Sequence, residues 1–281
     1  MIILSFVSHN SIYAQSQYSL EKQLRNILTQ GYGESYLKGY MQPFATAFGA
    51  IMGGAAYYRA DTRNFPSMDI GISAIHLIIP KESRTFNYNG EEVPTVFGSD
   101  ESGSTGIPGS DLTSLISSQL NLNLGLFSNF ELMVRGMNIL SIDEIGDINQ
   151  FGLGIKYNIS DLLPGSLSTW NLSAQAIYQI LNVAKWLRSA TFAMNIQTSK
   201  DIPVLPLNIY GGVGFEITSL KIKTNKIADI NTYGIGDVSI EGKNNLRITM
   251  GISLTFLLLN IHADYNLGTY NSFSGGILIV L

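Results

Sequence analysis

Between Asn244 and Leu281 the chain alternates apolar and polar residues in three consecutive runs that carry almost no charge. Leu246, Ile248, Met250, Ile252, Leu254 and Phe256 take one parity; Asn245, Arg247, Thr249, Gly251, Ser253 and Thr255 take the other. After Leu257-Leu258-Leu259 the pattern resumes, with Ile261, Ala263, Tyr265 and Leu267 against Asn260, His262, Asp264 and Asn266. Period two is the mark of a strand with two different faces. A soluble sandwich also alternates, but it studs its outer face with Lys and Glu. Here the polar parity is Asn, Ser, Thr and Gly, and the two formal charges, Arg247 and Asp264, both fall on it. An apolar face turned to lipid and a mild polar face turned to an enclosed lumen explain that sorting better.

Composition bears on the same choice. Charged residues are 14% of the chain, against about 25% in ordinary soluble proteins. No apolar run reaches the roughly 20 residues that a spanning helix needs. Closed β-structure is the remaining way to meet lipid, because each backbone amide must be paired there. A net charge of −4 without a basic stripe excludes a nucleic-acid partner. With no cysteine, disulfides and thiolate metal sites are excluded, and no cofactor is expected.

At the other end, Ile2–Val7 is a short apolar core and Tyr13-Ala14-Gln15 resembles a cleavage site, so residues 1–14 are expected to be a signal peptide. Leu20, Leu24, Ile27 and Leu28 then form a helical stripe with Ser19 as N-cap. A second helical or irregular piece, Glu34–Phe48, surrounds Pro43. Residues 15–48 are expected to plug the lumen, lie under the periplasmic mouth or meet a partner; a helix packed across the barrel opening is favoured.

The barrel is expected over residues 49–281. Gly53–Ala60 and Met68–Ile79 read as a strand pair, the second with Ile70, Ile72, Ile75 and Ile78 on both parities. Pro80–Thr113 is a long irregular loop with a candidate strand at Thr95–Gly98. Leu120, Leu122, Leu124 and Leu126 alternate with Gln119, Asn121, Asn123 and Gly125; Phe130, Leu132 and Val134 follow against Glu131, Met133 and Arg135. Further strands are read at Asp147–Ile159, Trp170–Leu181, Arg188–Ser199 and Pro206–Leu220. Longer, more polar connections at Ile139–Gly146 and Lys221–Lys243 contrast with tight ones at Phe127–Asn129 and Leu257–Leu259, as expected of outer and periplasmic ends. Eleven strands result. Outer-membrane barrels usually have an even number, so the expectation is an all-β, antiparallel transmembrane barrel of about ten to twelve strands with an N-terminal helical segment.

Several segments are similar to a family of exported, uncharacterised outer-membrane β-barrel proteins of Bacteroidota-type bacteria. They are Tyr36-Leu37-Lys38-Gly39-Tyr40-Met41-Gln42-Pro43-Phe44, Pro94-Thr95-Val96-Phe97-Gly98, Phe151-Gly152-Leu153-Gly154-Ile155-Lys156-Tyr157-Asn158-Ile159 with Leu163-Pro164-Gly165, and Tyr210-Gly211-Gly212-Val213-Gly214. The resemblance implies a barrel in the bacterial outer membrane and no assigned activity. A helix before a barrel also resembles, in architecture only, FadL-type fatty-acid channels. Ser274, Gly276, Ile279 and Leu281 resemble the terminal signal read by the barrel-insertion machinery, with Leu281 where an aromatic residue is usual.

Glu131, Arg135, Lys156, Glu216, Arg247, His262 and Asp264 share the inward parity and are the lumen-facing candidates. They either line a selective pore or fill a narrow lumen with paired charges, and about ten to twelve strands favour filling. His262-x-Asp264 with Ser253 or Ser274 could suggest a catalytic or metal site, but no nucleophile motif accompanies it, and a hydrogen-bond network is favoured. The chain is therefore read as a non-enzymatic outer-membrane barrel, in contact with lipid, for passage or binding of a small or hydrophobic molecule. The alternative is a soluble exported barrel or sandwich that binds lipid or a protein partner.

Overall fold

The computed structural model describes residues 19–101, 103–142, 146–162, 169–227 and 235–281. The expected signal peptide and Leu163-Pro164-Gly165 lie outside the described residues.

The described residues begin with two helices, α1 (Leu20–Thr29) and α2 (Gly33–Gly53). Ser19 caps α1, its hydroxyl accepting from the Lys22 amide. Among the described residues no helix is long and apolar enough to cross a membrane, which says nothing about strands. Among the described residues thirteen strands follow: β1 (Met68–Ile78), β2 (Thr85–Tyr88), β3 (Glu91–Pro94), β4 (Ser114–Gly125), β5 (Phe130–Ile142), β6 (Gly146–Asn158), β7 (Asn171–Val183), β8 (Leu187–Asp201), β9 (Leu207–Ile222), β10 (Val238–Glu241), β11 (Leu246–Phe256), β12 (Leu259–Leu267) and β13 (Ser272–Val280). Ten of them close an antiparallel barrel, in which β13 pairs with both β12 and β1. Strand β10 lengthens the wall beside β9, and β2–β3 is a separate hairpin in the long loop.

Three readings of the sequence are corrected. Gly53–Ala60 is not a strand; α2 runs to Gly53, with Pro43 inside it, and the chain then descends without pairing to β1. That removes one strand from the eleven and restores an even number. Thr95–Gly98 is a turn, and the hairpin lies just before it at β2 and β3. The Ile139–Gly146 connection is shorter than read, since β5 extends to Ile142 and β6 begins at Gly146.

The barrel has two unlike ends. At the turn end, β4–β5 is closed by Ser128 and Asn129, both at positive φ (58° and 65°), and β11–β12 by Leu257-Leu258. Two adjacent positive-φ residues match a twisted hairpin turn, and Asn tolerates that conformation well. The described residues of the long segments 79–113 and 223–245 lie at the loop end, and so do α1 and the first half of α2. Tyr40 donates to the Pro108 carbonyl at 2.8 Å, and Tyr36 shares a 3.0 Å hydrogen bond with Thr105.

The orientation of the alternating residues is unambiguous. Ile252 is 52% exposed and Ser253 2%; Phe192 is 40% exposed and Asn195 3%. Each barrel strand presents such a row, with Ile70, Leu120, Phe130, Leu153, Tyr178, Ile196, Ile217, Ile252, Ile261 and Ile277 all exposed. The inner face changes along the axis. Near the turn end it is polar or charged, whereas at the loop end Ile75, Leu77, Leu181, Leu220 and Ile222 pack with α1 and α2 into one apolar core. That core explains why β1 carries isoleucine on both parities.

One ladder is incomplete. β4 pairs with β1 from Met68–Leu124 to Ile78–Ser114. Its pairing with β5 runs only from Gly125–Glu131 to Leu120–Gly136, although β5 continues beside β6 to Ile142. The loop-end halves of β4 and β5 thus face one another across a seam.

Candidate functional site

The lumen is occupied by the chain itself, from the second half of α2 through the buried residues 54–60, before it emerges at exposed Asn64, Phe65 and Pro66. What fixes it there is a set of polar contacts to the wall, and the seven inward candidates take part in separate groups rather than one ring.

Arg135, 0% exposed, meets the end of α2. Its guanidinium donates to the carbonyls of Met52 (3.1 Å), Gly54 (2.7 Å) and Ala55 (3.0 Å), and to Asn121 Oδ1 (3.0 Å). The last carbonyls of a helix lack partners within it and carry partial negative charge. The last turn of α2 has no basic residue of its own, so the wall provides the cation. Gln179 also donates to Met52 O, and Gln150 joins Gln179 to Gln119 through two 3.0 Å bonds. No carboxylate pairs with Arg135 among the described residues.

Higher on the opposite wall, Arg247 lies 2.6 Å from Glu216 and donates to Asn195 at 3.1 Å, while Asn244 donates to Glu216 at 2.7 Å. Helix α2 passes against this group through glycines. A Cβ at Gly49 would collide with Asn244 and Thr218, and one at Gly53 with Glu216 and Arg247.

Toward the turn end, Arg59 of the descending segment reaches Asp61 (2.8 Å), Asp69 (3.0 Å) and Glu131 (2.9 Å). Lys156, the direct cross-strand partner of Glu131, adds a 2.7 Å contact to it. Tyr58 donates to Asp69. Burial works against the Asp61 carboxyl, but Arg59, Lys156 and Arg63 together outweigh it and hold that group below its usual value.

His262 and Asp264 share a strand face without forming a relay. The His262 ring stacks on Tyr58 at 5.4 Å, and its Nδ1 lies 3.2 Å from Asn260 Oδ1. Asp264 instead accepts from Tyr210 (3.0 Å), Asn266 (2.7 Å) and Ser274. The Ser274 hydroxyl therefore points to the carboxylate and not to the imidazole, and Ser253 accepts from Asn260. No group of three or more possible metal ligands occurs among the described residues.

Several wall contacts escaped sequence reasoning. Asp69 sits on the polar parity of β1, a signal that could have found it. Arg59 carried none, because its role depends on a segment that crosses the lumen unpaired.

Comparison with solved structures returns outer-membrane barrels at low likeness. The outer-membrane protease OmpT of Escherichia coli aligns with a TM-score of 0.35 and 9% identity, over 76% of this chain and 96% of that one. The in-vitro folded outer-membrane protein OmpT of Vibrio cholerae, in its trimer form, aligns at 0.29 and 11%, over 58% of this chain; the match spans about half, 55%, of that chain's length. A Pseudomonas aeruginosa FadL homologue aligns at 0.23 and 9%, over 84% of this chain and 96% of that one. These scores are low, and the barrel assignment rests on the strand pairing itself. Curated proteins give no match. The profile of the family of unknown function DUF6588 matches residues 1–281, and the chain belongs to that family.

Proposed function

We propose that this protein is an outer-membrane barrel, closed by its own N-terminal segment, that binds or admits a small hydrophobic or amphipathic molecule. The observation that carries the reading is the exposed apolar row on each of the ten barrel strands, set against a polar inner face. In water such a belt would be a large apolar patch of the kind soluble monomers avoid; in a bilayer it is the contact surface. The lining is also too sparing in lysine and glutamate on its outer face for a soluble exported barrel.

With tight turns at the periplasmic side, the helices lie on the outer side, and the segment after α2 descends through the lumen toward the cell. A lumen filled in this way supports gated passage or binding over a standing aqueous pore. On the sequence resemblance, the envelope is that of a Bacteroidota-type bacterium, and β13 is the strand offered to the insertion machinery.

The test is the intact chain refolded into bilayers. The expected outcome is heat-modifiable gel mobility, resistance to carbonate extraction and no standing conductance. Extraction by carbonate would overturn the membrane assignment, and a steady open-pore current would overturn the closed lumen.

A further inference from the structure

The seam between β4 and β5 coincides with a pocket of about 680 Å³ whose lining includes residues of both strand parities. Outward Leu120, Val134 and Phe151 line its sides, and inward Asn121, Arg135 and Gln150 form its floor. At its edge stands Gly136, the last β5 residue paired to β4. A Cβ there would meet only the Gln150 carbonyl, at 3.4 Å, so the space is left open by the absence of a side chain.

Two features make such a pocket unusual in a bilayer. First, the facing edges of β4 and β5 offer backbone groups without a ladder, and each unpaired group in hydrocarbon costs several kcal/mol. Second, among the described residues its ionic lining is all of one sign. Arg135 and Arg188 are the charged residues that line it, and no carboxylate of the described residues does. Among the described residues each hydrogen bond that Arg135 makes goes to a neutral acceptor. Arg188 stands across the β8–β9 ladder from Lys221, but Lys221 has its own acid in Asp237, at 3.1 Å.

We propose that this seam binds a lipid with an acidic head group, drawn from the surrounding bilayer. The acyl chain lies along Leu120, Val134 and Phe151; the head sits in the wall, against Arg188 and above Arg135. The acid oxygens accept from exposed backbone N–H groups and from Arg188, while the buried charge of Arg135 acts on them through a medium of low dielectric. A soluble anion does not fit the approach, because the pocket opens sideways among apolar side chains. A cationic or neutral amphiphile fits the walls but not the charge. The inference rests on the membrane reading of the barrel, and the two can fail separately.

The experiment is calorimetric titration of the full chain, refolded in neutral maltoside micelles, with dodecyl phosphate, dodecyltrimethylammonium and inorganic phosphate. Dodecyl phosphate is expected to bind at one saturable site, at least about tenfold tighter than the cationic amphiphile, with no binding of inorganic phosphate. Gly136→Trp, which fills the opening and leaves Arg135 in place, and Arg188→Gln should each weaken that binding by about tenfold or more while heat-modifiable mobility persists. Equal binding of both amphiphiles, binding of inorganic phosphate alone, or no effect of Gly136→Trp would overturn the proposal. Loss of heat-modifiable mobility in the unaltered chain would instead overturn the barrel reading beneath it.

Discussion

Arg59→Met removes the cation that ties the descending segment to two strands at once. Arg59 is nearly buried and contacts Asp61, Asp69 and Glu131 at 2.8, 3.0 and 2.9 Å. Breaking a buried ion pair from one side costs about 3–5 kcal/mol, chiefly because a charge is left without a partner. Here each buried acid keeps a second cation: Glu131 retains Lys156 at 2.7 Å, and Asp69 retains Arg63 at 3.4 Å and the Tyr58 hydroxyl. Asp61 is 37% exposed and returns to water. The cost therefore belongs at the lower end, about 3 kcal/mol, which is roughly a hundredfold in the ratio of released to seated segment. Planar-bilayer recording of the refolded chain should show the fraction of time spent conducting rise by about that factor. Arg63→Met removes a partly exposed cation at 3.4 Å and leaves Asp69 paired with Arg59, so it should change that fraction by less than about 1 kcal/mol, or about fivefold. Combining Arg59→Met with Glu131→Gln should cost less than the sum, since both act on one network. An unchanged conducting fraction in Arg59→Met, with an unchanged urea midpoint, would refute the claim that this cluster seats the segment.

Three further outcomes follow from the same geometry. Ile252→Arg should destabilise the reconstituted barrel by about 2–4 kcal/mol in urea unfolding, whereas Leu257→Arg at the turn tip should cost about 0–1 kcal/mol; equal effects would mean that the outer row does not face hydrocarbon. Gly53→Val places a branched side chain where Glu216 and Arg247 already stand, so it should displace α2 and give standing conductance, with the wall still heat-modifiable. Asp61 is opposed by burial but held by Arg59, Lys156 and Arg63 together below its ordinary 3.8, so it stabilises the seated segment above that pH and loses this only as pH falls through the lower folded value. Conductance should thus stay flat between about pH 5 and 8 and rise only in strong acid; loosening near pH 6 would assign the latch to another group.

What the sequence reveals depends on which environment each residue reports. Along β11 and β12, and along the turn-end parts of β7 and β8, one face is uniformly apolar and simple alternation was enough to orient the side chains. The inward parity of Glu131, Arg135, Lys156, Glu216, Arg247, His262 and Asp264 was legible for the same reason, and all seven are buried. Alternation fails where the inside is also apolar. Ile75 and Leu77 face inward at the loop end because α2 packs there, and no local pattern distinguishes a lipid-facing isoleucine from one facing a helix. Gly53–Ala60 was misread because its Ala, Tyr and Gly suit both a strand and a chain packed inside a lumen. Which partner Arg135 meets is a matter of tertiary register; its carbonyl acceptors lie about 80 residues earlier, at separations of 80, 81 and 83.

The account stands on the outer row of each strand lying in hydrocarbon and the inner row lying away from it. Nitroxide labels placed one at a time from residue 250 to residue 254 of the bilayer-reconstituted chain test this directly. Collision with dissolved oxygen, which concentrates in lipid, should peak at 250, 252 and 254 and fall at 251 and 253, while a water-soluble nickel relaxant reaches none of the three peaks. Strong nickel relaxation at 250, 252 and 254, or no alternation along the strand, would contradict it.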